Sequence, residues 1–352
     1  MAIFATINLY EAIFISTFQK YFLSYESWFL SVAKVSDPAY AMSILFPVAA
    51  SVNTPLGADI LVVTLFAEWL NTILKWLLME DRPFWWVREQ GAALRAPELR
   101  QTLATCETGP GSPSGHVMGF AAVLFALMRW VTANFVDKCS DLTHQQKRRR
   151  RQLLWVIVLA ALMVVSMSRI FVAAHFPHQC LLGAVLGLAL GYVLTDRGKW
   201  SFREKWRGAS RYKLFVVSLT LICISVGAYL IQLALGIDPQ WSVRLAFKWC
   251  RNPEFVHVVT TPIFSLVRVC GASLGLAMAS PITLRSDLKF YPVLGVTMVT
   301  MMVISLQMLK DLIPTANAVM FYVCQFFLHA TLPFLLLFIV PVIASLYKVK
   351  EE

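Results

Sequence analysis

Three short stretches carry side chains suited to holding and attacking an anion. The first is Lys75, followed seven residues later by Arg82-Pro83; the second is Pro113-Ser114-Gly115-His116; the third is Ser168-Arg169, with His175 after five intervening residues. Lys and Arg match a phosphoryl group in charge, and the Arg fork also matches it in shape. An imidazole beside such cations serves as nucleophile or as proton carrier. His116 and His175 are the two candidates, and spacing alone does not decide which one attacks.

The middle stretch ends a Gly-, Pro- and Ser-rich turn, residues 105–116, that opens into an apolar run. A helix starting there offers unpaired N–H groups and a positive dipole end. Ser114 and Gly115 would add a hydroxyl and backbone donors, with His116 on the first turn. Gly-rich turns before helices are common, so this stretch alone is a weak signal. Glu68, Asn71, Lys75 and Arg82 share one helical stripe by their spacing. The plainer account of that stripe is Lys75 reaching the membrane surface and pairing with Glu68. Phe84-Trp85-Trp86 reads as an aromatic belt, with sugar stacking as the functional alternative. Pro177 suits a helix first turn and leaves His175 just outside the helix.

The elements that position these groups are membrane helices. The chain has 352 residues, 58% hydrophobic and 14% charged, and a mean hydropathy of +0.65 excludes an ordinary soluble domain. Apolar windows predict an all-α polytopic membrane protein with about nine transmembrane helices, at 28–52, 58–79, 115–136, 152–168, 179–194, 214–235, 258–279, 290–309 and 317–346. Residues 1–25 read as an amphipathic, interfacial lead-in, without the features of a cleavable signal. The net charge of +11 concentrates in short loops, chiefly 138–151 and 196–213. That pattern orients a chain in a bilayer and does not call for nucleic acid. It puts those loops and the tail 347–352 in the cytosol, and the loops 80–115, 169–178 and 236–257 on the opposite face. Seven cysteines at irregular spacing give no zinc or disulfide framework. The chain reads as a single domain, 1–352, with its active-site core at about 58–195 and additional spans over 214–346.

In order and spacing, the three stretches resemble the signature of the type-2 phosphatidic acid phosphatase and haloperoxidase superfamily. Longer words narrow the resemblance: Glu68-Trp-Leu-Asn71, Lys75-Trp76, Arg82-Pro-Phe-Trp-Trp-Val87, Cys106 to His116, Ala174-His-Phe-Pro-His-Gln179, and Phe247-Lys-Trp-Cys250 with Pro253-Glu254. Over residues 37–280 these are similar to the glucose-6-phosphatase catalytic subunits. Gln179 stands where the superfamily usually has Asp, as it does in that family. The Arg-Pro-Phe-Trp-Trp wording and the absence of a glycosylation sequon resemble the ubiquitous, third branch of the family more than its liver or islet branches.

The resemblance implies a type-2 phosphatidic acid phosphatase-like helical core in the endoplasmic reticulum membrane, with a lumenal active site. It implies hydrolysis of glucose 6-phosphate and related sugar 6-phosphates, no metal or other cofactor, and a functional partnership with the glucose-6-phosphate translocase. His175 would be the nucleophile that forms a phosphohistidine, and His116 the proton donor and acceptor. Lys75, Arg82, Arg169, Ser114 and Gly115 would hold the phosphate. Gln179 cannot serve His175 as an anionic partner. Asp37 is the candidate for that task or for a sugar hydroxyl, against an ion pair with Lys34. Glu107 and Glu254 are expected sugar contacts, and His178 either meets substrate or caps its loop. Lys348 and Lys350 would form a dilysine retrieval signal. A lipid phosphate phosphatase of the same superfamily and a phosphate-binding transporter are the rival readings.

Overall fold

The computed structural model describes residues 2–196, 202–280, 292–314 and 317–342. Its helices are α1 (Ala2–Tyr21), α2 (Glu26–Val35), α3 (Pro38–Tyr40), α4 (Phe46–Val52), α5 (Thr54–Leu78), α6 (Pro83–Glu89), α7 (Gly115–Val131) and α8 (His144–Phe171). Then come α9 (Pro177–Thr195), α10 (Phe202–Arg207), α11 (Arg211–Ala234), α12 (Trp241–Trp249), α13 (Pro262–Ala279), α14 (Pro292–Asp311) and α15 (Ala318–Phe334). The protein is all-α and multi-pass. Among the described residues, seven helical stretches are long and apolar enough to cross a membrane, beginning at Thr54, Gly115, His144, Pro177, Arg211, Pro262 and Ala318. The other two expected spans correspond to shorter apolar helices, Pro38–Ser51 and Val299–Lys310, so seven of the nine expected spans meet that measure among the described residues. The first of these is cut off from α2 at Asp37, whose side chain accepts from the Ala39 N–H and starts a new helix. The tail with Lys348 and Lys350, the end of the last expected span and part of the second basic loop lie outside the described residues.

Local chemistry sets most helix ends. Asn53 caps α5 by accepting from the Leu56 N–H, and Met79, at φ 52°, ends it in the left-handed region. Pro83 and Pro177 each occupy a first turn, where a missing N–H costs nothing. The basic run Lys147–Arg151 is helical, not loop: Thr143 and Gln146 form a capping box that starts α8 ahead of it. Lys and Arg are good helix formers, so the run continues that first turn.

Packing brings the site-bearing ends together. Helix α9 lays Gly183, Gly187 and Gly191 against α7, so close that a Cβ at Gly187 would stand 2.3 Å from the Met118 carbonyl. Small residues one turn apart allow this backbone contact between membrane helices. The Ser114 N–H, just ahead of α7, donates to the Gln179 carbonyl at 3.0 Å, pinning the starts of both helices side by side. Helix α1 packs one face onto this core: Ala12 and Ile15 are fully buried in a cluster with Trp85, Trp86 and Phe176. The same burial corrects the aromatic belt, since Phe84, Trp85 and Trp86 are core residues at 0–1% exposure. Trp85 donates its indole N–H to Asp81 Oδ1 at 2.7 Å.

Candidate active site

Five expected residues converge at one end of the bundle: Lys75 on α5, Arg82 just before α6, His116 on the first turn of α7, Arg169 on the last turn of α8, and His175 between α8 and α9. All five are buried. At their centre is Glu107, from the loop between α6 and α7. Its Oε2 lies 2.8 Å from Arg82 Nη1 and its Oε1 lies 2.5 Å from Arg169 Nη2. His116 Nδ1 is 3.4 Å from Oε1, and His175 Nε2 is 3.6 Å from Oε2. The sequence offered this carboxylate as a sugar contact. It occupies the middle of the cation cluster. Burial opposes its ionisation, but Arg169 and Arg82 outweigh burial and hold the carboxyl well below its usual range.

Arg82 is locked from several sides. Its Nε donates to the Gly109 carbonyl at 2.5 Å, Nη2 to Pro110 at 3.2 Å and Nη1 to Ala174 at 3.0 Å. Lys75 reaches the same loop, donating to the Pro110 carbonyl at 2.9 Å. Its supposed partner Glu68 is engaged elsewhere, with Arg268 of α13 at 2.6 Å. Asn71, one turn before Lys75, donates to the Pro113 carbonyl at 3.0 Å. The stripe on α5 thus grips the turn before α7 from below.

His175 Nδ1 lies 2.8 Å from the Gly111 carbonyl. A carbonyl only accepts, so Nδ1 carries the proton and Nε2 keeps its lone pair. That Nε2 faces the Glu107 carboxylate and sits 3.3 Å from Arg82 Nη1. Burial and the Arg82 charge push the ring well below its ordinary pKa, so it is neutral at physiological pH. A backbone carbonyl thus meets Nδ1 of His175, while Asp37 lies beside His116. Gly111 is there because nothing larger fits: a Cβ would stand 2.4 Å from the Asp81 carbonyl. Gln179 holds the surrounding frame, donating to Glu80 at 3.1 Å and to the Asp81 carbonyl at 2.9 Å, and accepting from the Phe176 N–H at 3.1 Å.

Asp37 stands on the far side of His116, with Oδ2 4.0 Å from Nε2. Ser114 is buried with its hydroxyl unpartnered, and Gly115 lines the cavity beside His116. His178 is not in the site: it bridges Glu11 of α1 at 2.6 Å and Glu80 at 2.9 Å. Asn252 caps a short turn by accepting from the Glu254 N–H, and Glu254 itself is exposed.

The segment before α13 clamps the Glu107 loop. Cys106 and Cys250 are joined by a disulfide, which corrects the reading of the cysteines as unpaired. The His257 N–H donates to the Cys106 carbonyl at 3.0 Å, and the Thr108 N–H donates to Thr260 Oγ1 at 3.0 Å. Glu107 is held on both sides. Nothing in its own neighbourhood in sequence announces this, because its clamp lies some 150 residues downstream.

The PAP2 superfamily matches residues 56–203, which include all three motif stretches. Glucose-6-phosphatase 3 of Homo sapiens is 37% identical over 258 residues, covering 72% of this chain and 70% of that protein. Glucose-6-phosphatase 2 of Homo sapiens is 34% identical over 92% of each chain. Glucose-6-phosphatase catalytic subunit 1 of Felis catus is 32% identical over 90% of this chain and 88% of its own. No solved structure matches the chain. On sequence, the chain belongs to the glucose-6-phosphatase family.

Proposed function

We propose that the protein hydrolyses glucose 6-phosphate and related sugar 6-phosphates to free sugar and inorganic phosphate in the lumen of the endoplasmic reticulum. The observation that carries this reading is the Glu107 carboxylate, bridging Arg82 and Arg169 with both imidazoles beside it. Its two oxygens mark where phosphoryl oxygens sit once substrate displaces it. Lys75, Arg82 and Arg169 then share the charge of the phosphoryl group, with Ser114 and Gly115 as neutral donors at the start of α7.

The His175 Nε2 lone pair attacks phosphorus as the bond to the sugar oxygen breaks. Protonated His116 gives that oxygen its proton, leaving free sugar and a phosphohistidine. His116 then takes a proton from water, whose oxygen attacks phosphorus and breaks the P–N bond. Inorganic phosphate leaves, and both imidazoles return to their starting states. Asp37, across His116 from the cradle, is placed to meet a sugar hydroxyl or to steady the His116 ring.

A lumenal location is supported by the loop charges and by the Cys106–Cys250 disulfide, since such bonds persist in oxidising compartments. The glucose-6-phosphate translocase is the functional partner that delivers substrate there. Lys348 and Lys350 supply retrieval from the cytosolic tail. The phosphatase core spans about 58–195, with additional spans over 214–346 following it in sequence. Purified protein offered glucose 6-phosphate and phosphatidate should prefer the sugar ester; a clear preference for phosphatidate would assign it to lipid phosphate hydrolysis instead.

A further inference from the structure

Beyond His116 the cradle opens into a cavity of about 90 Å³ walled by Asp37, Glu68, Lys75 and Arg268 among others. A second chamber of about 360 Å³ lies against it, and Ala39, Val259 and Arg268 wall both. The chamber is built from the first turns of α13, the last turns of α14 and the length of α15, together with Ala39–Ser43. Arg268 stands at the junction. It bonds Glu68 on the cradle side at 2.6 Å, and its guanidinium lies 5.9 Å from the centre of the Phe264 ring, which faces the chamber.

The chamber wall is mixed in character. Met42, Leu306, Leu328 and Phe321 make it largely apolar, whereas Ser43, Arg268, Lys310, Gln325 and His329 are polar. Gln325 is 5% exposed, and its Oε1 has no hydrogen-bond partner. A buried oxygen in that state calls for a donor. His329 lies 2.7 Å through Nδ1 from the Gln325 carbonyl, so it donates there and presents Nε2 as an acceptor. Hydrocarbon alone leaves these acceptors unmet, while a bare hexose buries its hydroxyls against Met42, Leu306 and Leu328. An occupant with hydroxyls at one end and an apolar body satisfies both surfaces.

We propose that this chamber is a subsite for the alcohol part of the substrate, and that the protein hydrolyses sugar 6-phosphates bearing an apolar substituent on the side of the ring remote from phosphorus. The proposal rests on the phosphatase reading above and extends it to a substrate class. With phosphorus held by Arg82 and Arg169, the departing oxygen faces His116, and the sugar extends past Asp37 toward the shared wall at Arg268. A substituent on its anomeric oxygen continues into the chamber. Burying it contributes roughly 0.8 kcal/mol per methylene, which over two methylenes is about a tenfold gain in kcat/KM.

The test compares glucose 6-phosphate with n-hexyl β-D-glucoside 6-phosphate on the full-length protein in lipid nanodiscs. The hexyl ester should show kcat/KM at least about tenfold higher. Leu328→Trp and Val303→Trp, both at chamber-wall positions, should bring that ratio close to one, the hexyl ester losing at least about tenfold more kcat/KM than glucose 6-phosphate does. Activity on the unsubstituted ester also reports that each variant folds. Wild-type protein that hydrolyses glucose 6-phosphate but gains nothing from the hexyl group overturns the chamber proposal alone; a bilayer acyl chain filling the space gives this result. A hexyl advantage that survives both Trp variants also overturns it. Wild-type protein that hydrolyses neither ester overturns the phosphatase reading, and the chamber proposal with it.

Discussion

At the scale of single residues, Glu107 sets the resting charge of the site. Arg82 and Arg169 are essentially inaccessible to solvent, at 0% and 1% exposure, and the carboxylate is their anion. Glu107→Gln leaves two buried guanidinium groups without it, a change that costs about 3–5 kcal/mol when one partner of a buried pair is removed. The variant should melt at a lower temperature than wild type, and inorganic phosphate should raise its melting temperature by more than it raises that of wild type. The difference should also depend on pH in a defined direction. The Glu107 carboxyl lies well below its usual value in the folded protein, and about 4.3 in the unfolded chain. Its contribution is therefore complete above about pH 5 and is lost only as pH falls below 4 toward the folded value. The melting gap between wild type and Glu107→Gln should stay flat from pH 5 to 7 and close under stronger acid. Motif order made Lys75, Arg82, His116, Arg169 and His175 legible in the sequence as one cluster. Glu107 was legible only as a carboxylate within the turn and a candidate sugar contact. No spacing rule connects it to Arg169, which follows 62 residues later.

At the scale of elements, the link between Gly111 and His175 turns loop geometry into reactivity. The Gly111 N–H donates to the Glu80 carbonyl at 2.8 Å, and its own carbonyl fixes the imidazole. Gly111→Ala would force the turn away from the Asp81 carbonyl and tilt His175. A misplacement of about 1 Å at a nucleophile costs on the order of 10²-fold in rate. The variant should lose that much kcat, with a smaller change in KM, because Glu107 holds Arg169 and the Ala174 carbonyl, outside the turn, still holds Arg82. Steady-state kinetics separates the two parameters; an unchanged kcat would show that the carbonyl does not orient His175. The long apolar helices were readable to within a few residues, since periodicity and Pro or Gly punctuation mark them. The break at Asp37 and the early start of α8 were less so, because a single capping side chain decides each. The burial of Trp85 and Trp86 depends on α1 folding back over α6, which hydropathy does not encode.

At the scale of the whole molecule, the membrane bundle holds together a site whose parts are scattered along the chain. The disulfide spans 144 residues, so neither cysteine's surroundings could reveal its partner, and the clamp on Glu107 follows from the tertiary fold alone. Removing a native disulfide costs about 2–5 kcal/mol. Cys106→Ser should therefore shorten the half-life of activity at 37 °C, and reducing agent should bring wild type down to the same half-life. A variant as durable as wild type would show that the clamp does not depend on the disulfide. The central claim is that turnover passes through a covalent bond to His175. The most direct measurement is to incubate purified protein with glucose 6-phosphate carrying radioactive phosphorus, quench in alkali, in which phosphohistidine survives, and count the label. Wild type should carry label, and His175→Ala should carry none while still binding inorganic phosphate. Label persisting on His175→Ala, or its absence from wild type during active hydrolysis, would contradict the account.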